Sequence, residues 1–404
     1  MLHWRVESAL NNTEADMTKL TAFNMNCINT MIIRGGSSKG IYLDARDLLP
    51  AGPERDNVIL KIFGSPDKRQ IDGLGGADKL TSKVCVMGPP TREDCDIDYL
   101  FGQVNQTLPR IDWTSNCGNL SSGAAYYGVL MGYGEATEDC TKTLSIHQVN
   151  LGRKLLAKVP MRDDQPEVEG NFAIGGVPGT GARINLDFGD FAGAVMKQGI
   201  LPTGNTRDLI NVPGLGEIEV SIVDMANLHV FVRSVDVDLD TSLSIFDLQS
   251  DTALVRRLEN VRTAACERIG FGKNQNMEEL MRISVNPLLF IVAPPVDYIT
   301  NTGQKIKASD HDLFARSMAR YEFSKAYPGS GSVGTAAAAG IAGTLVHEAS
   351  RPEALVNEEF VLRVGHPGGT LSVEAAMDRK SYKVSYARLG RTARLLMDGR
   401  SYYR

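Results

Sequence analysis

Short apolar runs separated by glycine-bearing polar turns dominate the chain, and few stretches carry helical spacing. Residues 28–33 read as a buried strand, Arg34-Gly35-Gly36-Ser37-Ser38-Lys39-Gly40 as a polar turn, and 41–43 as the next strand. Length and β-branched content predict further strands at 83–87, 97–104, 143–149, 154–159 and 288–293. Ile218, Val220 and Ile222 alternate with polar neighbours, as in a half-exposed strand. Residues 54–63 predict a short helix, and Leu254, Leu258, Val261, Ala265 and Ile269 follow helical spacing, as do Phe314, Met318 and Tyr321. Loops are expected at Gln70-Ile71-Asp72-Gly73-Leu74-Gly75-Gly76, in the glycine-rich region 169–181, and at Pro202-Thr203-Gly204-Asn205. Strands and helices do not alternate regularly, which argues against a doubly wound parallel sheet.

Two stretches share a different build, a glycine-and-polar turn running into a helix of very small residues. Ser115-Asn116-Cys117-Gly118-Asn119 precedes a helix over 120–127, and Pro328-Gly329-Ser330-Gly331-Ser332 precedes one over 333–341. Helices of Ala, Gly and Ser admit close approach on every side, as expected if each lies inside a wrap of sheet. Their first N–H groups lack intrahelical partners and carry the positive end of the peptide dipoles, so each start suits an anion. Two such starts point to a polyanionic ligand and to two similar halves facing one cleft.

The length of 404 residues suits two domains or three, and 43% apolar with 23% charged residues is the balance of a globular protein. A net charge of −5 with interspersed signs offers no basic stripe for nucleic acid. No apolar run approaches the roughly 18 residues of a membrane span. Small-molecule partners are therefore expected. The six cysteines form no Cys-x-x-Cys pair and no short-spaced cluster with histidine, which predicts no zinc site, free thiols and a reducing, cytoplasmic setting. Residues 1–27 contain Glu7, Glu14 and Asp16 without a long apolar core, unlike a targeting peptide, and read as a loosely ordered extension with Met17 or Met25 as alternative starts.

Cys117 sits where a helix start favours the reactive thiolate, whereas Cys85, Cys95, Cys140 and Cys266 read as small buried hydrophobes. Lys83 opens an apolar strand after a glycine loop. In a semi-dry cleft it can act as a general base, and on an edge strand it would simply reach for water. Lys39 is a rival base or a countercharge for a carboxylate. Gly329-Ser330-Gly331-Ser332-Val333-Gly334 has the spacing of a dinucleotide-binding loop, but Tyr321-Glu322-Phe323-Ser324-Lys325-Ala326-Tyr327-Pro328 before it is no buried strand, and Glu348 follows too closely. His366 reads as a turn residue.

With these residues in view, the chain resembles the PrpF family of 2-methylaconitate isomerases and their relatives, which include aconitate delta-isomerases, methylitaconate isomerases and 4-oxalomesaconate tautomerases. The resemblance runs from about residue 28 to 400. It is carried by the Arg34–Gly40 turn (Ser37 standing where the family usually has Thr), the Gln70–Gly76 loop, Thr81-Ser82-Lys83, Asp98-Tyr99-Leu100-Phe101 and Asn116-Cys117-Gly118-Asn119. Pro202-Thr203-Gly204-Asn205, Gly343-Thr344-Leu345 and Gly365-His366-Pro367 extend it. It implies an α+β, diaminopimelate-epimerase-like fold of two pseudo-symmetric domains, each a curled, mainly antiparallel sheet around a central helix. The domains are expected at 28–197 plus 385–404 and at 198–384. It also implies catalysis by Lys83 and Cys117, with Ser37, Ser38, Lys39, Gly76, Ser82, Asn116, Gly118, Asn119, Gly331 and Ser332 as substrate-binding candidates. Where the family often has Met-His-x-Ala, this chain has Phe323-Ser324-Lys325-Ala326 and so lacks a family histidine.

The implied reaction moves a C=C bond in an aconitate- or 2-methylaconitate-like tricarboxylate by a 1,3-proton shift. No electrons leave, so no cofactor is expected; the partner is a small di- or tricarboxylate, and a homodimer is an open expectation. The stretches Gly152-Arg153 and Pro213-Gly214-Leu215-Gly216 resemble the aconitate and methylaconitate branch more than the oxalomesaconate branch. Three alternatives stand beside it: an oxalomesaconate tautomerase, a two-base epimerase, for which Ser330 and Ser332 are poor replacements for a second thiol, and a non-catalytic carboxylate-binding accessory protein.

Overall fold

The β-branched runs form strands as their composition dictates. A computed structural model describes residues 25–404; the alternative start at Met17 and the first 24 residues of the expected extension lie outside the described residues. The first strand, Asn26–Gly35, begins two residues earlier than its pattern suggests, because Asn26 and Cys27 pair with Tyr403 and Tyr402.

One ladder runs through Ala393–Tyr403, Asn26–Gly35, Ser38–Asp44, Lys83–Gly88, Ile97–Val104, Thr141–Gln148, Arg153–Arg162 and Ile184–Asp187. These strands curl around the helix Gly118–Leu130, whose first twelve residues are buried. Ile184–Asp187 then pairs with Val384–Arg391, and the ladder continues through Gly369–Met377, Glu359–His366, Leu313–Ala319, Leu288–Ala293, Asn227–Arg233, Gly216–Met225 and Asp208–Val212. This second set surrounds the helix Gly329–Gly340, buried along its whole length. Val384–Arg391, at the expected domain boundary, pairs with the first set and packs on the second helix.

The internal repeat is explicit in the strand directions. Each half is antiparallel except at two parallel neighbours, Ser38–Asp44 with Lys83–Gly88 and Ile97–Val104 with Thr141–Gln148 in the first. In the second they are Asn227–Arg233 with Leu288–Ala293 and Leu313–Ala319 with Glu359–His366. Parallel neighbours require a crossover connection. In each half the first crossover carries an outer helix, Pro53–Phe63 or Thr252–Ile269, and the second carries the central small-residue helix.

The outer helices begin and end as their sequences predict. Pro53 opens one and Gly64 closes it in the left-handed region, while the Asp251 side chain accepts from the N–H groups of Ala253 and Leu254 in the other. Ile59, Leu60 and Phe63 cover Ile41, Leu43 and Val84; Leu254, Leu258 and Val261 cover Val220, Val230 and Ile291. Sheet covered on both faces loses its polar alternation. That is why Phe314 and Met318, at helical spacing, belong instead to the strand Leu313–Ala319, buried at every position. It is also why Ser221 is buried between Val220 and Ile222 where half-exposure was expected. Of the cysteines read as buried, Cys140 is exposed.

The two central helices meet at their starts. A Cβ on Gly118 would lie 2.5 Å from the Ser330 nitrogen, and one on Gly329 would lie 2.8 Å from the Asn119 nitrogen. Backbone sits against backbone, so no side chain can turn aside to make room. Gly118→Ala or Gly329→Ala should therefore destabilise the protein by about 1–3 kcal/mol, the usual cost of overpacking, read as a lower urea midpoint. An unchanged midpoint in both variants would show that the helix starts are not so tightly apposed.

Candidate active site

The meeting of the helix starts builds the site. Cys117 is the N-cap of the first central helix and Pro328 that of the second, and neither supplies a side-chain cap. The N–H groups of residues 118–120 and 329–331 consequently lack intrahelical acceptors, and two positive dipole ends converge. Asn227 ties the starts together: its Nδ2 donates to Asn116 O at 3.1 Å and Ser330 Oγ at 2.7 Å. A cavity opens over this junction, lined by Ser38, Lys83, Gln103, Asn116 and Cys117 from the first half and by Asn227, Arg320, Ser324 and Ser330 from the second. Ser38 Oγ and both side-chain polar atoms of Asn116 are buried at its wall without a hydrogen-bond partner. Unsatisfied buried polar atoms are rare, and their concentration here marks a place for a polar ligand.

Sheet register places Lys83. It pairs with Gln103 across the antiparallel ladder, and its Nζ donates to Gln103 Oε1 at 2.7 Å. The amide of Gln103 is oriented by its own Nε2, which donates to Lys79 O and Ser82 O. Burial pushes Lys83 below the ordinary lysine value; the Cys117 thiol beside it raises it, and the Arg320 cation lowers it further. The Phe101 ring, 4.9 Å from Nζ, favours the charged form without reversing the direction. Lys83 and Cys117 thus line one cavity within electrostatic reach of each other.

Arg320 comes from a tight hairpin between Leu313–Ala319 and Glu322–Phe323. Both turn residues are left-handed, Arg320 at φ 56° and Tyr321 at φ 62°, a conformation that such turns normally fill with Asn or Gly. Packing holds it. Tyr321 N donates to Glu259 Oε1 at 2.6 Å, Gln249 Nε2 donates to Tyr321 O, and Phe323 N donates to Gln249 Oε1. Glu259 is held by the fully buried Arg262, whose other donors satisfy the carbonyls of Met281, Ser284 and Pro287. The Arg320 guanidinium itself makes no hydrogen bond or close ion pair among the described residues; Asp112 and Glu322 act on it at longer range. A strained, clamped backbone thus presents an uncommitted cation to the cavity. Lys79, pushed down to about 8 chiefly by burial, spans the two halves by donating to the carbonyls of Glu322 and Phe323.

Of the candidate residues, Lys83, Cys117, Ser38, Asn116, Gly118 and Asn119 line the cavity. The others do not. Ser37 Oγ accepts from Asn119 Nδ2 and so supports a residue at the wall, whereas Ser82 Oγ donates to Gln70 Oε1, outside the lining. Gly76 packs on Thr81, Gly331 on Phe290, and Ser332 Oγ is bonded to Gly329 O within the helix. Lys39 lies outside the cleft, because strand alternation turns it to the opposite face from Ser38. Gly329–Ser332 form the first helical turn rather than a loop before it, and Gly118 covers Gly329, which removes the open glycine cradle that a dinucleotide needs. Ser324, standing where the resemblance expects histidine, lines the cavity. Arg320, Lys79, Gln103 and Asn227 went unmarked. The position of Gln103 opposite Lys83 was open to inference from two strand predictions, but nothing local announces a left-handed arginine.

Comparison with known proteins agrees with this architecture. Residues 25–404 match the model of the family described as PrpF protein. The chain is 40% identical over 377 residues to a 3-methylitaconate isomerase of Eubacterium barkeri, covering 93% of this chain and 97% of the relative. It is 33% identical over 380 residues to a 2-methyl-aconitate isomerase of Shewanella oneidensis, covering 91% and 94%. A crystal structure of methylitaconate-delta-isomerase superimposes with a TM-score of 0.78 at 38% identity, covering 94% of this chain and 96% of the other. A hydroxyproline epimerase from Agrobacterium vitis shares the fold alone, with a TM-score of 0.53 at 10% identity over 93% and 92% of the chains. From its duplicated curled sheet to its paired helix starts, the chain belongs to the PrpF family.

Proposed function

We propose that the protein is an allylic isomerase that moves a C=C bond by a 1,3-proton shift in a tricarboxylate of the aconitate or 2-methylaconitate kind. The observation that carries this reading is the apposition of the Lys83 amine and the Cys117 thiol over two uncapped helix starts. Substrate carboxylates occupy the free N–H groups and meet Arg320. Neutral Lys83 takes the proton from the allylic carbon, and the resulting charge spreads into the carboxylate as a dienolate-like anion. Backbone donors already aimed at that carboxylate lower the barrier by about 3–4 kcal/mol each when well placed. The proton returns at the far end of the conjugated system, with Cys117 as donor or as a positioning group. Atoms and electrons balance without an oxidant. The relatives named for methylitaconate and 2-methyl-aconitate support the substrate class.

A two-base epimerase needs a thiol at each helix start. Here the second start offers Ser330, whose Oγ is engaged by Asn227. Proton NMR in D2O with cis-aconitate, 2-methylaconitate and oxalomesaconate separates the readings: bond migration with solvent deuterium incorporation is expected, whereas inversion without migration, or no exchange, counts against it. Lys83→Ala should abolish deuterium exchange at the allylic carbon, and an active variant would move the base to Cys117.

The pH profile follows from the environment of Lys83. Because the free amine is the base, kcat/KM should rise with pH along a limb below the ordinary lysine value of 10.5. Arg320 lowers Lys83, so Arg320→Gln should move that limb to higher pH. Loss of its charge-assisted bonds to a carboxylate, about 1.5–3 kcal/mol, should also raise KM by roughly tenfold to a hundredfold. A limb that stays in place with an unchanged KM would remove Arg320 from the site.

A further inference from the structure

We propose that the outer face of the first half carries a second anion site, separate from the central cavity, for a small organic polyanion with an apolar body. Its basis is a row of three cations set side by side by strand register. Arg34 lies opposite Lys39 in one ladder and opposite Arg394 in the next. Their face is turned away from the central helix, since the neighbouring Gly35 is the residue that abuts that helix. Like charges directly opposite one another destabilise a sheet unless something compensates them. Among the described residues none of the three takes part in an ion pair.

The row is partly covered, with Arg34 and Lys39 half-buried and Arg394 exposed. It forms the floor of a cavity of about 590 Å³ whose roof comes from the glycine-rich region 169–181, with Phe172, Ile174, Val177 and Pro178 as its apolar wall. Glu169 is the single acid in the lining. The floor is rigid where it matters: Arg34 Nη1 donates to Gly36 O at 3.0 Å and to Thr392 O and Oγ1 at 2.9 Å. Phe172 is fixed by the Arg183 guanidinium, 5.0 Å from its ring centre. Burial and the neighbouring Arg394 both press Arg34 below the ordinary arginine value, a penalty that a bound anion would relieve. Cations on one wall and hydrocarbon on the other select a ligand with two or more negative groups on an apolar frame, whether carboxylates or phosphates. Ser38 and Lys39, adjacent in one strand, face the inner and the outer cavity.

Calorimetric titration of the full chain with tricarballylate, a saturated tricarboxylate with no double bond to move, and separately with inorganic pyrophosphate, tests the proposal. At least one probe should bind at the outer site, and the responding probe identifies carboxylate or phosphate as the headgroup. For tricarballylate the expected stoichiometry is two, one equivalent in each cavity. Lys39→Gln combined with Arg394→Gln should weaken the outer equivalent by about a hundredfold, roughly tenfold for each charge-assisted bond removed. Val177→Trp, which fills the cavity without altering charge, should remove the same equivalent and guards against misfolding of the charge variant. If both variants leave every observed equivalent in place, or if neither probe binds the wild type, the proposal is overturned. A wild-type stoichiometry of one that both variants abolish supports the outer site and counts instead against carboxylate binding in the central cleft.

Discussion

The abutment of two uncapped helix starts is the constraint on which the molecule depends. Backbone donors can serve a bound carboxylate only if they are bare, convergent and shielded from water, and each condition has a structural source. Bareness comes from Cys117 and Pro328, N-caps that offer no side-chain acceptor. Convergence comes from Gly118 and Gly329, which let the two backbones touch, and from Asn227, which bonds to both starts. Shielding comes from the double wrap of sheet, because a helix of Ala, Gly and Ser brings little apolar bulk of its own and takes its cover from the strands around it. Strand order, crossover helices and small-residue composition all serve this one junction.

Electrostatic balance at the junction sets the state of the lysine. Burial and the Arg320 cation disfavour the ammonium of Lys83, whereas Cys117 and the aromatic ring of Phe101 favour it, and burial prevails. In the reaction proposed above, arriving carboxylates would shift the balance towards the ammonium and make the amine a stronger base. Arg320 would act on both sides of that exchange, lowering Lys83 and meeting a carboxylate, from a turn held in the left-handed region. A buried Glu259–Arg262 pair holds the turn through the Tyr321 N–H.

Much of this was legible in the chain. Strands with β-branched runs, the capped outer helices and the twin glycine starts follow from local rules, and they located Lys83, Cys117, Ser38, Asn116, Gly118 and Asn119 at the cleft. What escaped has a common cause, the effect of partners remote in sequence. Phe314 and Met318 mimic a helix because both faces of their strand are covered, so that no polar alternation is left to read. Lys39 looked like a catalytic rival until strand parity turned it to the other side of the sheet. Arg320 depends on Glu259 and Gln249, about sixty and seventy residues earlier, for its conformation, and no local pattern encodes that dependence.

The pairing of the first strand with Ala393–Tyr403 has a temporal consequence. Every residue that lines the central cavity is synthesised by residue 330, yet the curled sheet around the helix Gly118–Leu130 lacks its edge strand until Ala393–Tyr403 is made. The second half is drawn from the contiguous stretch 208–391, whereas the first needs strands from both ends of the described residues. A nascent chain halted before residue 393 would carry the whole cavity lining in an unfinished vessel.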